Sequence, residues 1–168
     1  MPTLNDAHAT IGCVVSNGQF FEVVFVLCAK LVYAQKDAQT VAEIAPLGPK
    51  TFKAPTTALL RELRDHVKVS EKFEELITDV VDRRHTLIHR WLLEKGWPQD
   101  DGESAAIAEL TEFSRALNED LIALTRILVK AVHDWLRKFP EMSGGLKALS
   151  HDWLSRLPAA FQGVAIED

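Results

Sequence analysis

EKFEELITDVVDRRHTLIHRWLLEKGWP, residues 71–98, is the stretch from which the fold can be read. Ser70 stands just before it as a helix N-cap, a side-chain acceptor for the orphan N–H groups of a first turn. Glu71, Glu74 and Glu75 put negative charge where the helix dipole favours it. Phe73, Leu76, Ile77, Val80, Val81, Leu87, Ile88, Trp91 and Leu92 then recur at three- and four-residue steps, the period of one helix face. Gly96 supplies a stop and Pro98 an exit. The pattern predicts one unbroken helix ending near Gly96.

The neighbouring segments read the same way. Over residues 5–34, Ile11, Val14, Val15, Phe21, Val24, Phe25, Cys28, Leu31 and Val32 keep helical steps. Gly12 and Gly18 weaken that helix by about 1 kcal/mol each. VVFVLC has strand propensity, but its neighbours continue the helical period. Pro46, Pro49 and Pro55, with Gly48, make 35–55 a connector with room for a short turn near AQTVAEIA. TALLRELRDHV, 57–67, is a short helix. After PQDDGES, residues 104–138 form the longest helix, with Leu110, Phe113, Leu117, Leu121, Leu124, Leu128, Ala131 and Trp135 close to a heptad seam. Pro140 ends it, a last short helix follows at 146–157, and 158–168 is a loosely held tail. Nothing reads as a strand. The expectation is an all-α fold, an antiparallel bundle of four to five helices in one domain spanning 1–168.

Composition narrows the function classes. The 168 residues, 47% apolar, suffice for one domain with its own core. A net charge of −5 excludes grip on nucleic acid by bulk electrostatics, so any such role must come from a local positive patch. Cys13 and Cys28, fifteen residues apart on one helix, would lie about 22 Å from each other, beyond the roughly 7 Å a disulfide spans. They read as two buried thiols in a reducing cytoplasm. The N-terminus has no basic leader region, and VVFVLCA between Glu22 and Lys30 falls short of the roughly 20 residues a membrane span needs. A soluble cytoplasmic protein with no membrane partner is expected.

The feature that departs from a plain amphipathic helix is RRHTLIHR, 83–90. Arg84 falls on the apolar face, where a charge is costly unless it is paired or faces a wet cleft or an interface. His85 and His89 share a neighbouring face. Arg84 and His89 are about 140° apart around an α-helix, so they meet only if the arginine swings round or a second copy approaches. A structural reading has these cations interacting with the helix dipole and with acidic neighbours. A metal reading would use His85, His89 and Asp82, one turn earlier. No HExxH or cysteine cluster supports it and the arginines oppose a bound cation, so no metal or cofactor is expected.

Arg84 to His89, R-H-T-L-I-H, resembles the R-x4-6-H motif of the HEPN superfamily. His85 fits the family's polar slot, and VVDRRHTLIHRW resembles its wider pattern. The helix order is also similar: a long first helix, a motif helix followed by Gly and Pro, and a long helix after it. The resemblance implies an all-α bundle and a metal-independent endoribonuclease, often a toxin or defence component. It also implies a homodimer whose two motif helices form one composite cleft. RNA and, for a toxin, an antitoxin protein would be the other partners. Under this reading His89 is the acid/base, Arg84 the phosphate clamp, and His85 an orienting or second proton-transfer group. Arg83 and Arg90 add local positive potential to bind substrate. Glu22, a carboxylate among the apolar residues of QFFEVVF, would support Arg84 or a motif histidine. Some family toxins carry a tyrosine, modified by a partner enzyme, where this chain has Trp91, which has no hydroxyl. Other members are non-catalytic, so a helical interaction or binding module of the same fold is the alternative.

Elsewhere, Trp97, Trp135 and Trp153 read as core or interface anchors rather than base-stacking platforms. His133-Asp134 reads as a dipole interaction. Ser104, Ser114 and Ser143 have no base set beside them by sequence. There is no P-loop, Rossmann fingerprint or EF-hand loop.

Overall fold

A computed structural model of the chain describes residues 1–34, 56–66 and 69–138. The 35–55 connector, the short helix expected at 146–157 and the tail lie outside the described residues. In chain order the elements are α1 (Leu4–Ala34), α2 (Thr56–His66), α3 (Glu71–His85), a π-helical turn (Thr86–Arg90), α4 (Trp91–Glu94) and α5 (Ser104–Lys138). Among the described residues there is no strand, and the protein is an all-α helical bundle.

Two compact units divide it, one of residues 1–21 with 71–123, the other of 22–70 with 124–168. In the first unit the backbone N–H of Leu4 donates to Asp101 Oδ1 at 2.8 Å, and Asn17 Nδ2 donates to Asn118 Oδ1 at 2.7 Å. The first halves of α1 and α5 therefore run in the same direction. The motif helix between them in sequence runs antiparallel to both. Arg83 meets Asp120, the Trp91 ring lies 4.9 Å from that of Phe113, and Lys95 Nζ is 3.0 Å from Glu109. Ala7, Val14 and Phe21 enter the core at seven-residue spacing, against Ile77, Val80, Leu87 and Trp91 and against Ile107, Leu110, Leu117 and Leu121. A mean step of 3.5 residues keeps such a seam facing its neighbours.

Local chemistry holds the ends of these helices. The N–H and hydroxyl of Thr3 both donate to Asp6 Oδ2 at 2.8 Å, and the Asp6 N–H returns a bond to Thr3 Oγ1. The hydrogen bonds from Thr3 hold the Asp6 carboxyl below its ordinary pKa. Trp97 Nε1 donates to His8 Nε2 at 3.3 Å with the two rings stacked. Gly96 takes φ +77°, the left-handed stop that only glycine adopts at no cost, as its position after the helix predicts.

In the second unit Val24, Phe25, Val26 and Ala29 of α1, Leu60 of α2, and Leu124, Leu128, Val129 and Val132 of α5 are buried. Cys28 Sγ donates to the Leu128 carbonyl at 3.5 Å, and burial pushes its thiol up to about 12. Cys13 is exposed, contrary to the reading of two buried thiols. It sits one residue, and so about 100°, off the Ala7–Val14–Phe21 line. Both cysteines are free.

The helix also revises the membrane arithmetic. Glu22 alone does not divide it: Leu4–Ala29, 26 residues with mean hydropathy 1.7, is long and apolar enough to cross a bilayer by length and composition. Within it Ala7, Val14, Phe21, Val24, Phe25, Val26 and Ala29 are buried core positions.

Candidate functional site

The motif helix begins at Glu71, directly after Ser70, and stays α-helical through His85. It then widens. Over Thr86–Arg90 the chain forms a π turn, closed by the Trp91 N–H donating to the Thr86 carbonyl, an i→i+5 bond. His85 and Trp91 keep ordinary helical dihedrals, whereas Arg90 relaxes to φ −114°, ψ −24°. The unbroken α-helix read from the sequence is corrected at this point. The pattern cannot register it, because one extra residue in a turn redirects later side chains and leaves the order of apolar residues unchanged.

The π turn changes the relation between Arg84 and His89. A π turn holds roughly one residue more than an α turn, so each residue advances about 80° rather than about 100°. One α step and four π steps then separate the two by about 60°, against about 140° in a regular helix. Single π turns of this kind occur frequently at functional sites.

Arg84 is half-buried on the line Ile77, Val80, Leu87, Trp91, all of which are buried. Its side chain lies across α1 at Gly18. A Cβ built there would stand 2.6 Å from Arg84 Nε, 3.0 Å from Cδ and 3.3 Å from Cζ. Arg83, also half-buried, is held by two carboxylates: its Nη2 is 2.6 Å from Asp79 and 2.5 Å from Asp120. Its charge therefore serves an ion-pair triad linking α3 to α5. His85 and His89 are both exposed, with ring centroids 4.9 Å apart at a 45° tilt. Arg90 beside them is exposed. Glu22 is half-buried on α1 and belongs to the second unit.

Two members of the expected apolar stripe do not enter the core. Ile88 is 41% and Leu92 62% exposed, and Leu93 beyond them is 84% exposed. The core line runs through Leu87 and Trp91, and the residue after each points about 100° away. The motif histidines thus share their surface with three large apolar side chains. Trp91 is buried against Phe113, so it serves as a packing position.

The amino-terminal half of the same helix has the opposite charge. Glu71, Glu74, Glu75, Thr78, Asp79 and Asp82 line an open concavity of about 480 Å³. Among the described residues no three His, Cys, Asp or Glu side chains gather as a metal site would require, and Asp82 does not join the two histidines in one. His133, half-buried on α5, has its pKa lowered by burial and by Arg137, against the pull of Asp134. Asp134 is paired with Lys130 at 3.2 Å.

Gly18, Asp79 and Asp120 were not singled out from the sequence, nor was the exposure of Ile88 and Leu92. Gly18 left no signal of its own, since Gly12 on the same helix reads identically yet a Cβ there meets nothing within 4 Å. No protein-family model, curated protein or solved structure matches this chain.

Proposed function

We propose that the chain is a metal-independent endoribonuclease of the HEPN type, working as a homodimer in the cytoplasm as a toxin or defence component. One observation carries the reading: the R-x4-H segment contains a π turn and holds His85 and His89 as an exposed pair, 4.9 Å apart, while Arg84, next in sequence to His85, is seated against Gly18. Two imidazoles within reach of one substrate suit a proton-in, proton-out reaction. The His89 imidazole takes the proton of a ribose 2′-hydroxyl, whose oxygen attacks the adjacent phosphorus. His85 returns a proton to the departing 5′-oxygen, leaving a 2′,3′-cyclic phosphate and a free 5′-hydroxyl. Arg84 stabilises the charge that develops on the phosphoryl oxygens. Arg90 supplies potential at the surface, while Arg83, committed to Asp79 and Asp120, holds the helix in register.

The exposed Ile88, Leu92 and Leu93 support the dimer. Large apolar residues clustered at a polar site are the surface a second copy would bury. The same three residues also favour the second reading, a non-catalytic module of this fold that uses them to hold a partner.

Cleavage of a mixed RNA panel in EDTA, comparing wild type with Arg84→Ala and His89→Ala, separates the two. EDTA-resistant cleavage with 2′,3′-cyclic ends, lost in both variants, is the expected result. A wild type that cuts nothing across the panel, with variants that lose self-association, refutes the nuclease and leaves the interaction module.

A further inference from the structure

We infer that Gly18 is a positioning residue: its missing side chain makes the seat in which the Arg84 side chain is held against α1. Glycine in the middle of a helix is destabilising relative to alanine, and α1 carries it there at a buried position. The space is filled by Arg84, whose Nε is buried and would lie 2.6 Å from a Cβ at position 18. Real Cβ contacts do not come that close. The atoms that meet the added methyl are Nε, Cδ and Cζ, the movable end of a long side chain, with no backbone among them. Gly18→Ala therefore displaces the guanidinium and leaves the helix intact. Gly12 is the matched control, because a Cβ there meets nothing within 4 Å on the same helix.

The catalytic part of this inference rests on the ribonuclease reading; the seat itself rests on geometry alone, and the experiment keeps the two apart. The arginine Nε–Hε cross-peaks are recorded for wild type, Gly18→Ala and Gly12→Ala, with Arg84→Ala identifying the signal of interest. The Arg84 signal is expected to shift and its hydrogen to exchange faster with water in Gly18→Ala, while Gly12→Ala leaves it where it was. An unmoved signal in Gly18→Ala overturns the inference whether or not the protein cuts RNA.

On an RNA that wild type cleaves, kcat is expected to fall roughly a hundred-fold in Gly18→Ala, the scale of a 1 Å misplacement, with KM little changed. Gly12→Ala should match wild type, and Gly18→Ala should add nothing to Arg84→Ala. A shifted signal with undiminished kcat overturns the positioning role. If wild type cuts no RNA, the ribonuclease reading fails, and the cross-peak still decides whether the seat exists.

Discussion

Truncating Trp91 tests the packing that supports the site. Trp91 is 5% exposed and its ring lies 4.9 Å from Phe113, tilted by 49°. A buried tryptophan removes about 150–250 Å² from water, worth ~4–6 kcal/mol at about 25 cal/mol per Å². Alanine keeps a little of that area and the unfolded chain has already buried some, so Trp91→Ala should cost ~3–5 kcal/mol. Against a total of about 5–15 kcal/mol, this removes between about a fifth and all of the stability at 25 °C. The assay is urea denaturation followed by far-ultraviolet circular dichroism, which does not depend on the tryptophan removed. A double-mutant cycle with Phe113→Leu should return a coupling of about 0.5–1.5 kcal/mol for the ring pair. A loss below ~1 kcal/mol, or no coupling with Phe113, would refute the claim that this ring anchors the motif helix on α5.

Replacing Leu92 and Leu93 together by glutamate should abolish self-association in sedimentation velocity, with stability changed by less than ~0.5 kcal/mol per site because both side chains are exposed. A wild type that sediments as a monomer counts against the homodimer at once. The Cys28 thiol, pushed up to about 12 from 9.0, should resist iodoacetamide at pH 8.5 while the exposed Cys13 reacts; labelling of both in the native protein would contradict its burial. The folded state keeps the Cys28 proton where the unfolded chain gives it up. This contribution is therefore fully present below pH 9 and is lost as pH rises from 9 towards 12. A Tm that falls over that alkaline range less steeply in Cys28→Ala than in wild type is the expected signature.

Much of the fold was legible locally. Ser70, the acidic first turn and Gly96 marked the ends of the motif helix because caps, dipole and left-handed turn are short-range effects. Along α5, the spacing of Leu110, Leu117, Leu121, Leu124 and Leu128 found the buried seam. The spacing misjudged Ala131, which is exposed, and passed over Ser114 and Thr125, which are buried. Polarity predicts burial poorly where neighbouring helices close over small side chains. Of the candidate site, RRHTLIHR could be noticed from the sequence, because three arginines and two histidines within eight residues interrupt an apolar period.

The sequence by itself determined the helical class, the bounds of the described helices to within a residue or two, and the charged segment in which any chemistry would lie. These follow from propensity, period and capping, which act over a few residues. The tertiary structure alone decided that α1 and α5 run in the same direction in the first unit, since chain order does not specify which helices become neighbours. It alone seated Arg84 on Gly18 and paired Arg83 with Asp120, contacts between residues 66 and 37 positions apart. The π turn likewise depends on three-dimensional packing, because a pattern of threes and fours is the same whether a turn holds four residues or five. That one residue decides where His89 points.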